Sequence, residues 1–244
     1  MNWHFLPKRP GLALDVGAGR GILSFALASE GWQVVAVEPD PGDNVGVGSI
    51  RELKRQSRLP IEIVRGDGEH LSFSDGTFDL VCCRQVMHHV SNPAAFCLEV
   101  RRVLGDDGMF AVLREPVISC PEDMDALLDS CILHRMHEGE NAYALDEYRS
   151  FLKAGGFDNT RTIGSMENAA NYFPMDPVDW HIACARPLIR FLGYRLSMTV
   201  TGMENPVSGW ILRMLARRAT ELDARPGRMY SFIARKTGSL RTSR

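Results

Sequence analysis

One short run constrains most of what this chain can fold into: Leu14-Asp15-Val16-Gly17-Ala18-Gly19-Arg20-Gly21. Apolar residues suited to extended backbone stop at three alternating glycines, and a helical pattern begins at once at Ile22. A strand that breaks into a helix this way leaves the first backbone N–H groups of the helix unpaired. Gly17, Gly19 and Gly21 allow the chain to turn and a ligand to approach the backbone closely. Glu38 stands seventeen residues beyond Gly21, at the end of a second apolar run. A carboxylate at that place is positioned to take two ribose hydroxyls. The layout predicts a nucleoside site.

The rest of the pattern alternates short apolar strands with helices. Strands are expected at 11–16, 33–37, 61–64, 78–83 and 108–113, and helices at 22–29 and 49–56. Ile22, Leu23, Ala26 and Leu27 form the expected buried stripe of the first helix, which Gly31 ends. Asn92-Pro93 opens another helix, with Asn92 as cap and Pro93 where no amide is missed. Phe96, Val100, Val103 and Leu104 give that helix its apolar face. After Arg114 the pattern predicts helices at 124–136 and 145–154, the latter stopped by Gly155-Gly156, then a strand at 157–163. Residues 165–226 read as an insertion with helices near 178–192 and 206–222, and 229–234 as the last strand. The expected fold is α/β: a Rossmann-like, seven-stranded, mostly parallel sheet with helices on both faces and a largely helical insertion before the last strand. The expected division is a core at 1–164, an insertion or cap at 165–226, and a last strand with polar tail at 227–244.

Composition narrows the classes. With 45% apolar and 24% charged residues and a net charge of −2, the chain has no global basic field for wrapping nucleic acid. No apolar run approaches the roughly 18 residues of a membrane span, and the N-terminus lacks a signal-peptide core. The six cysteines, at 82, 83, 97, 120, 131 and 184, include no Cys-x₂-Cys pair, so no metal site is expected. Adjacent Cys82 and Cys83 inside a strand suit buried thiols in a reducing, cytoplasmic compartment.

The spacing of the glycines decides between nucleosides. The dinucleotide fingerprint is G-x-G-x-x-G, but here the third glycine is at 21 and position 22 is Ile. Asp15, two residues before the first glycine, would repel a pyrophosphate and suits a ligand carrying an ammonium group. Together these stretches resemble the class I S-adenosylmethionine-dependent methyltransferases, in particular the small-molecule subgroup of ubiquinone and menaquinone biosynthesis. The resemblance rests on LDVGAGRG at 14–21, VVAVEPD at 34–40, RGDGEHLSFSDGTFDLVCCRQVMHHV at 65–90 and EVRRVLGDDGMFAV at 99–112, with LKAGGF at 152–157. It implies S-adenosylmethionine as cofactor. Asp15 and the loop Gly17, Ala18, Gly19 and Gly21 would hold its methionine end, and Glu38, followed by Pro39, its ribose. Asp67 would accept from the adenine amine, with Gly68 and Glu69 lining the base. The backbone around Cys83, Arg84 and Gln85 would lie beside the methionyl portion.

Methyl transfer from a sulfonium needs in-line placement and exclusion of water more than covalent help. Where the acceptor must lose a proton, a base assists. His88 and His89, after the fourth strand, and Glu115, after the fifth, are the candidates. Each has a bland alternative: loop packing for the histidines and an ion pair with Arg114 or another basic residue for Glu115. His134, His137, Glu138 and Tyr143 suit a polar acceptor pocket or a solvated helix end. Trp180, Phe191, Tyr194, Met198, Met203 and Trp210 could line an apolar pocket, form the insertion's own core, or face a dimer partner. Only Asn2, Trp3, His4 and Phe5 precede the first strand as a possible cover. The expected acceptor is a small molecule attacking through O, N, C or S, with the chain a monomer or homodimer. A protein or RNA acceptor and a non-catalytic cofactor-binding scaffold remain as alternatives. Enzymes that methylate exocyclic base nitrogens often carry an Asn/Asp-Pro-Pro-Tyr/Phe run at the end of the fourth strand; this chain has Cys83-Arg84-Gln85-Val86 there, which argues against that activity.

Overall fold

The computed structural model describes residues 6–7, 9–130, 141–201 and 206–236. Strands β1 (Leu12–Val16), β2 (Gln33–Glu38), β3 (Ile61–Arg65), β4 (Phe78–Arg84), β5 (Leu104–Ile118), β6 (Tyr143–Ala144), β7 (Thr160–Ile163) and β8 (Arg228–Arg235) form one sheet. Seven of them lie in the order β3-β2-β1-β4-β5-β8-β7, and the two-residue β6 pairs with β5 off that path. Only β8 runs antiparallel, between β5 and β7. The order reverses between β1 and β4, so the loops that follow these two strands part and leave a crevice at the carboxyl edge.

Helices α1 (Ile22–Ser29), α2 (Val47–Ser57), α3 (Pro93–Val103), α4 (Asp123–Ser130) and α5 (Leu145–Ala154) belong to the same part of the chain as β1–β6. Strands buried on both faces explain their continuous apolar runs. Along β5, Phe110 and Val112 join Phe96, Val100, Tyr148, Phe157 and Phe232 in one layer. Met109, Ala111 and Leu113 join Leu23, Leu27, Trp32, Ile50 and Ile233 in the other. Asn92 caps α3 by accepting from the Ala95 N–H, with Pro93 at the first position, as its sequence predicts.

Two expectations are corrected. Ile22 is 61% exposed, and the buried stripe of α1 is Leu23, Ser24, Leu27 and Ala28. Ile22 follows the glycine loop directly and lines the open cavity beside it instead of packing on the sheet. The strand expected at 157–163 begins only at Thr160; Phe157 packs into the core from the loop that follows the Gly155-Gly156 turn.

Between β7 and β8 come α6 (Ala169–Tyr172), α7 (Pro177–Leu192), α8 (Tyr194–Val200) and α9 (Pro206–Leu222). Met166, Cys184, Leu212 and Ala216 are buried among them, flanked by Tyr172 and Trp180, whose rings stack at 4.9 Å. Trp180 therefore serves the insertion's own core, and its indole N–H donates to the Met166 carbonyl at 2.7 Å. Met198 is half-buried, whereas Phe191, Tyr194 and Trp210 are exposed. Asn2, Trp3, His4, Phe5, His134, His137, Glu138 and Met203 lie outside the described residues. No helix among the described residues is long and apolar enough to cross a membrane.

Candidate functional site

The crevice holds two adjoining cavities that share Gly17, Gly19, Val45 and Arg84. The smaller, about 200 Å³, is lined by Asp15, Gly17, Ala18, Gly19, Arg20, Ile22, Leu23, Val45 and Arg84. The larger, about 650 Å³, extends along Glu38, Pro39, Asp40, Asp67, Gly68 and Glu69 to Gln85, Val86, His89, Val90 and Ser91.

The glycine loop takes its shape from three left-handed residues, Gly17, Gly19 and Gly21. A Cβ on Gly17 would meet Val86 at 2.5 Å, whereas one on Gly19 would meet nothing and project into open space. Glu38 braces this loop: its carboxylate accepts the Gly19 N–H at 2.7 Å and the Asp40 N–H at 3.0 Å. A carboxylate has about four lone-pair directions, so two remain for hydroxyl donors from the cleft. Asp67 accepts the Glu69 N–H at 2.9 Å, and Glu69 in turn accepts the Asn92 N–H at 2.9 Å, tying the cleft's far wall to the start of α3.

Asp15 is the electrostatic centre of the smaller cavity. One of its oxygens accepts from the Ser24 hydroxyl at 2.6 Å. The other is buried without a hydrogen-bond partner. Burial pushes the Asp15 carboxyl up to about 7, only partly offset by Ser24. Half-buried Arg84 lines the same cavity, and its positive charge favours the ionised Asp15. An orphaned carboxylate oxygen and a guanidinium on one small cavity match the ammonium and carboxylate of an α-amino acid. These residues fit S-adenosylmethionine, whose amino-acid end suits the smaller cavity and whose nucleoside suits the larger.

The three residues expected to act on a proton separate. Glu115 is fully buried on β5 and accepts the N–H groups of Val86 at 3.0 Å, Met87 at 3.1 Å and His88 at 3.3 Å. Its second oxygen also lies 2.7 Å from Nδ1 of buried His88. Glu115 thus folds the loop after β4 and pairs with His88, not with Arg114. Arg114 instead reaches the carbonyls of Ala170 and Phe173, fastening α6 to β5. His89 is exposed, lines the larger cavity and lies 4.0 Å, ring centre to ring centre, from His88. The Cys83 side chain is in the core, and burial holds its thiol well above the usual range. The next two residues, Arg84 and Gln85, face the cleft, Gln85 with a left-handed φ of 56°.

Several cleft residues escape a reading by motif: Asp40, Val45, Val86, Val90 and Ser91. Val45 arrives because the segment after Pro39 folds back, with the Gly46 N–H donating to the Gly19 carbonyl at 3.0 Å. The turn-forming string Pro39-Asp40-Pro41-Gly42 was the available signal for that return.

Residues 14–112 match a family model described as a methyltransferase domain. The chain is 30% identical over 121 residues to the uncharacterized methyltransferase YcgJ of Bacillus subtilis, covering 50% of this chain and 45% of that protein. It is 33% identical over 102 residues to a malonyl-[acyl-carrier protein] O-methyltransferase of Geobacter sulfurreducens, covering 42% of this chain and 38% of that one. The chain thus spans less than half the length of these curated relatives. In fold it resembles phosphoethanolamine N-methyltransferase 2 of Haemonchus contortus, solved in complex with S-adenosyl-L-methionine. The TM-score is 0.57 at 17% identity, covering 96% of this chain and 50% of that one.

Proposed function

We propose that this chain is a class I S-adenosylmethionine-dependent methyltransferase that takes S-adenosylmethionine as its cofactor and transfers its methyl group to a nucleophilic atom of a small molecule; the methyltransferase-domain match over residues 14–112 supports the reading. The observation that carries the reading is the unpartnered buried oxygen of Asp15, facing a cavity it shares with Arg84. A buried carboxylate with an unmet acceptor is costly unless a ligand supplies the donor.

The bound cofactor supplies an electrophilic methyl on a sulfonium, with a neutral leaving group. The chain's own residues bind and orient it. Asp15 takes the ammonium and Arg84 the carboxylate, while the backbone of Gly17, Ala18 and Gly19 lets the ligand lie close. Glu38 receives the ribose hydroxyls with the lone pairs left after bracing Gly19 and Asp40. Asp67 keeps one oxygen for the adenine amine, and Gly68 and Glu69 flank the base. On the acceptor side, Val86 and Val90 exclude water, and His89 is the side chain placed to hold a proton. His88 is spent on Glu115 and acts by positioning the loop.

Titration calorimetry with S-adenosylmethionine, followed by labelled-methyl transfer into a metabolite extract, tests the proposal. The parent chain is expected to bind and to label a small product. D15A and E38A, if folded, are expected to lose about tenfold or more in affinity, the scale of a charge-assisted contact. Unchanged affinity in both variants would overturn the pocket assignment. Label appearing only in protein or RNA would overturn the small-molecule acceptor.

A further inference from the structure

The arginines of the insertion have no part in the cleft just described. From 180 to 220 the sequence holds six arginines, no lysine and one acid, Glu204, in a chain that is net −2. The same region concentrates exposed apolar surface. Phe191 is 84% exposed, and Leu192, Tyr194, Leu196, Trp210, Met214 and Leu222 are also exposed.

The two features meet at one corner. α7 ends at Leu192, Gly193 turns the chain with φ 75°, and α8 starts at Tyr194. Every residue from Arg190 to Leu196 is exposed, a run of two arginines, four large apolar side chains and the glycine. Behind the corner, a groove of about 990 Å³ lies between α7 and α9. Its wall is apolar, with Ala183, Pro187, Leu215 and Leu222, and Arg186, Arg190 and Arg218 border it. Arg218 has a carboxylate partner, Glu221 at 2.6 Å; Arg186 and Arg190 have none among the described residues.

We infer that the Arg190–Leu196 corner and the adjoining groove form a docking surface for a bilayer rich in anionic phospholipid. Exposed aromatic and aliphatic side chains interleaved with arginines are the composition of a protein face that sits at the headgroup boundary. The apolar side chains enter the acyl region and the arginines take lipid phosphates. A second copy of the chain is a poorer occupant, because a self-complementary contact through this run brings two sets of arginines together with no carboxylate between Arg190 and Leu196 to pair them. Nucleic acid would use the arginines and could stack on the aromatics but leaves Leu192, Leu196 and the aliphatic groove uncovered. The insertion is rooted at the carboxyl edge of the sheet, since it leaves β7 after Ile163 and re-enters β8 at Arg228. That is also the edge on which the cleft opens.

Vesicle co-sedimentation tests this without needing a methyl acceptor, so its outcome is separable from that of the proposed function. The full chain is expected to sediment with phosphatidylcholine vesicles containing about 30% phosphatidylglycerol and to remain in solution with phosphatidylcholine alone. Raising salt to about 0.5 M is expected to weaken binding, as is R190E/R195E, while F191S/Y194S removes the apolar part; each variant should lose about tenfold in affinity. These side chains are exposed, and unchanged thermal unfolding of the variants confirms that folding is intact. Absence of binding to the anionic vesicles, or binding that both variants retain, would overturn the inference. So would a concentration-dependent dimer, or a complex with single-stranded oligonucleotide, that F191S/Y194S abolishes while vesicles remain unbound.

Discussion

Asp15 is buried with one oxygen held by Ser24 and the other unpartnered. Its carboxyl is pushed up to about 7 because burial disfavours the charge by more than hydrogen bonding from Ser24 favours it. The ionised form therefore costs the unliganded protein stability. The folded carboxyl titrates above the unfolded value of 3.8, so the folded state binds the extra proton. The contribution of Asp15 to stability is then greatest below about pH 4, falls as pH rises to about 7, and levels off above that. The shift corresponds to at most roughly 4 kcal/mol. D15N keeps an acceptor for Ser24 and removes the charge. It is expected to be more stable than the parent at pH 8, with the gap closing toward pH 4, and to bind S-adenosylmethionine more weakly. Urea unfolding of both proteins across this range checks the claim; a gap that does not vary with pH would sink it. The sequence placed an acid before the glycines but gave no sign that Ser24 would hold it or that one oxygen would be left over. Both facts depend on how α1 packs on β1, not on local spacing.

At the scale of elements, the junctions carry more information than the strands. Glu115, within β5, accepts three consecutive N–H groups of the loop after β4, so one carboxylate shapes the wall that carries Gln85, Val86 and His89. E115Q would retain one acceptor oxygen and turn an amide donor against the His88 N–H and ring. Hydrogen bonds to a charged group contribute about 1.5–3 kcal/mol each, so a loss of about 2–3 kcal/mol is expected, with weaker cofactor binding. Chemical denaturation and calorimetry on the variant measure both; parent-like values in each would remove Glu115 from this role. The strands and helices themselves were legible because periodicity of apolar residues follows burial directly, as in β5 or α3. Glu115 was legible as a residue of interest but not in its role. Its partners lie 27 to 29 positions away, and only the parallel pairing of β4 with β5 brings them together. Ile22, expected in the buried stripe, instead lines the smaller cavity, a placement set by how the glycine loop and β4 frame the crevice.

At the scale of the molecule, both walls of the cleft come from distant parts of the chain, so a ligand that bridges them ties the fold together. A ligand that binds only the folded state stabilises it by about 2.7 kcal/mol at a hundredfold excess over Kd. For a chain of this size that raises Tm by roughly 5–10 °C. Scanning calorimetry with and without S-adenosylmethionine is expected to show that rise, and E38A to lose most of it. No rise at saturating cofactor would contradict the cleft as its site.

The sequence by itself determined the alternation of strands and helices, the glycine loop with Asp15 and Glu38, and the resemblance that points to S-adenosylmethionine. These are local patterns, fixed by backbone sterics and by residues close in the chain. Only the tertiary structure decided that Arg84 shares a cavity with Asp15, that Glu115 is a brace, and that His89 meets the cleft while His88 does not. It also decided which aromatics of the insertion are buried and which are exposed, leaving Trp180 in a small core and Phe191 at a corner. Such facts arise from contacts between segments far apart in sequence, where the identity of a residue says what it can do but the packing around it sets what it does.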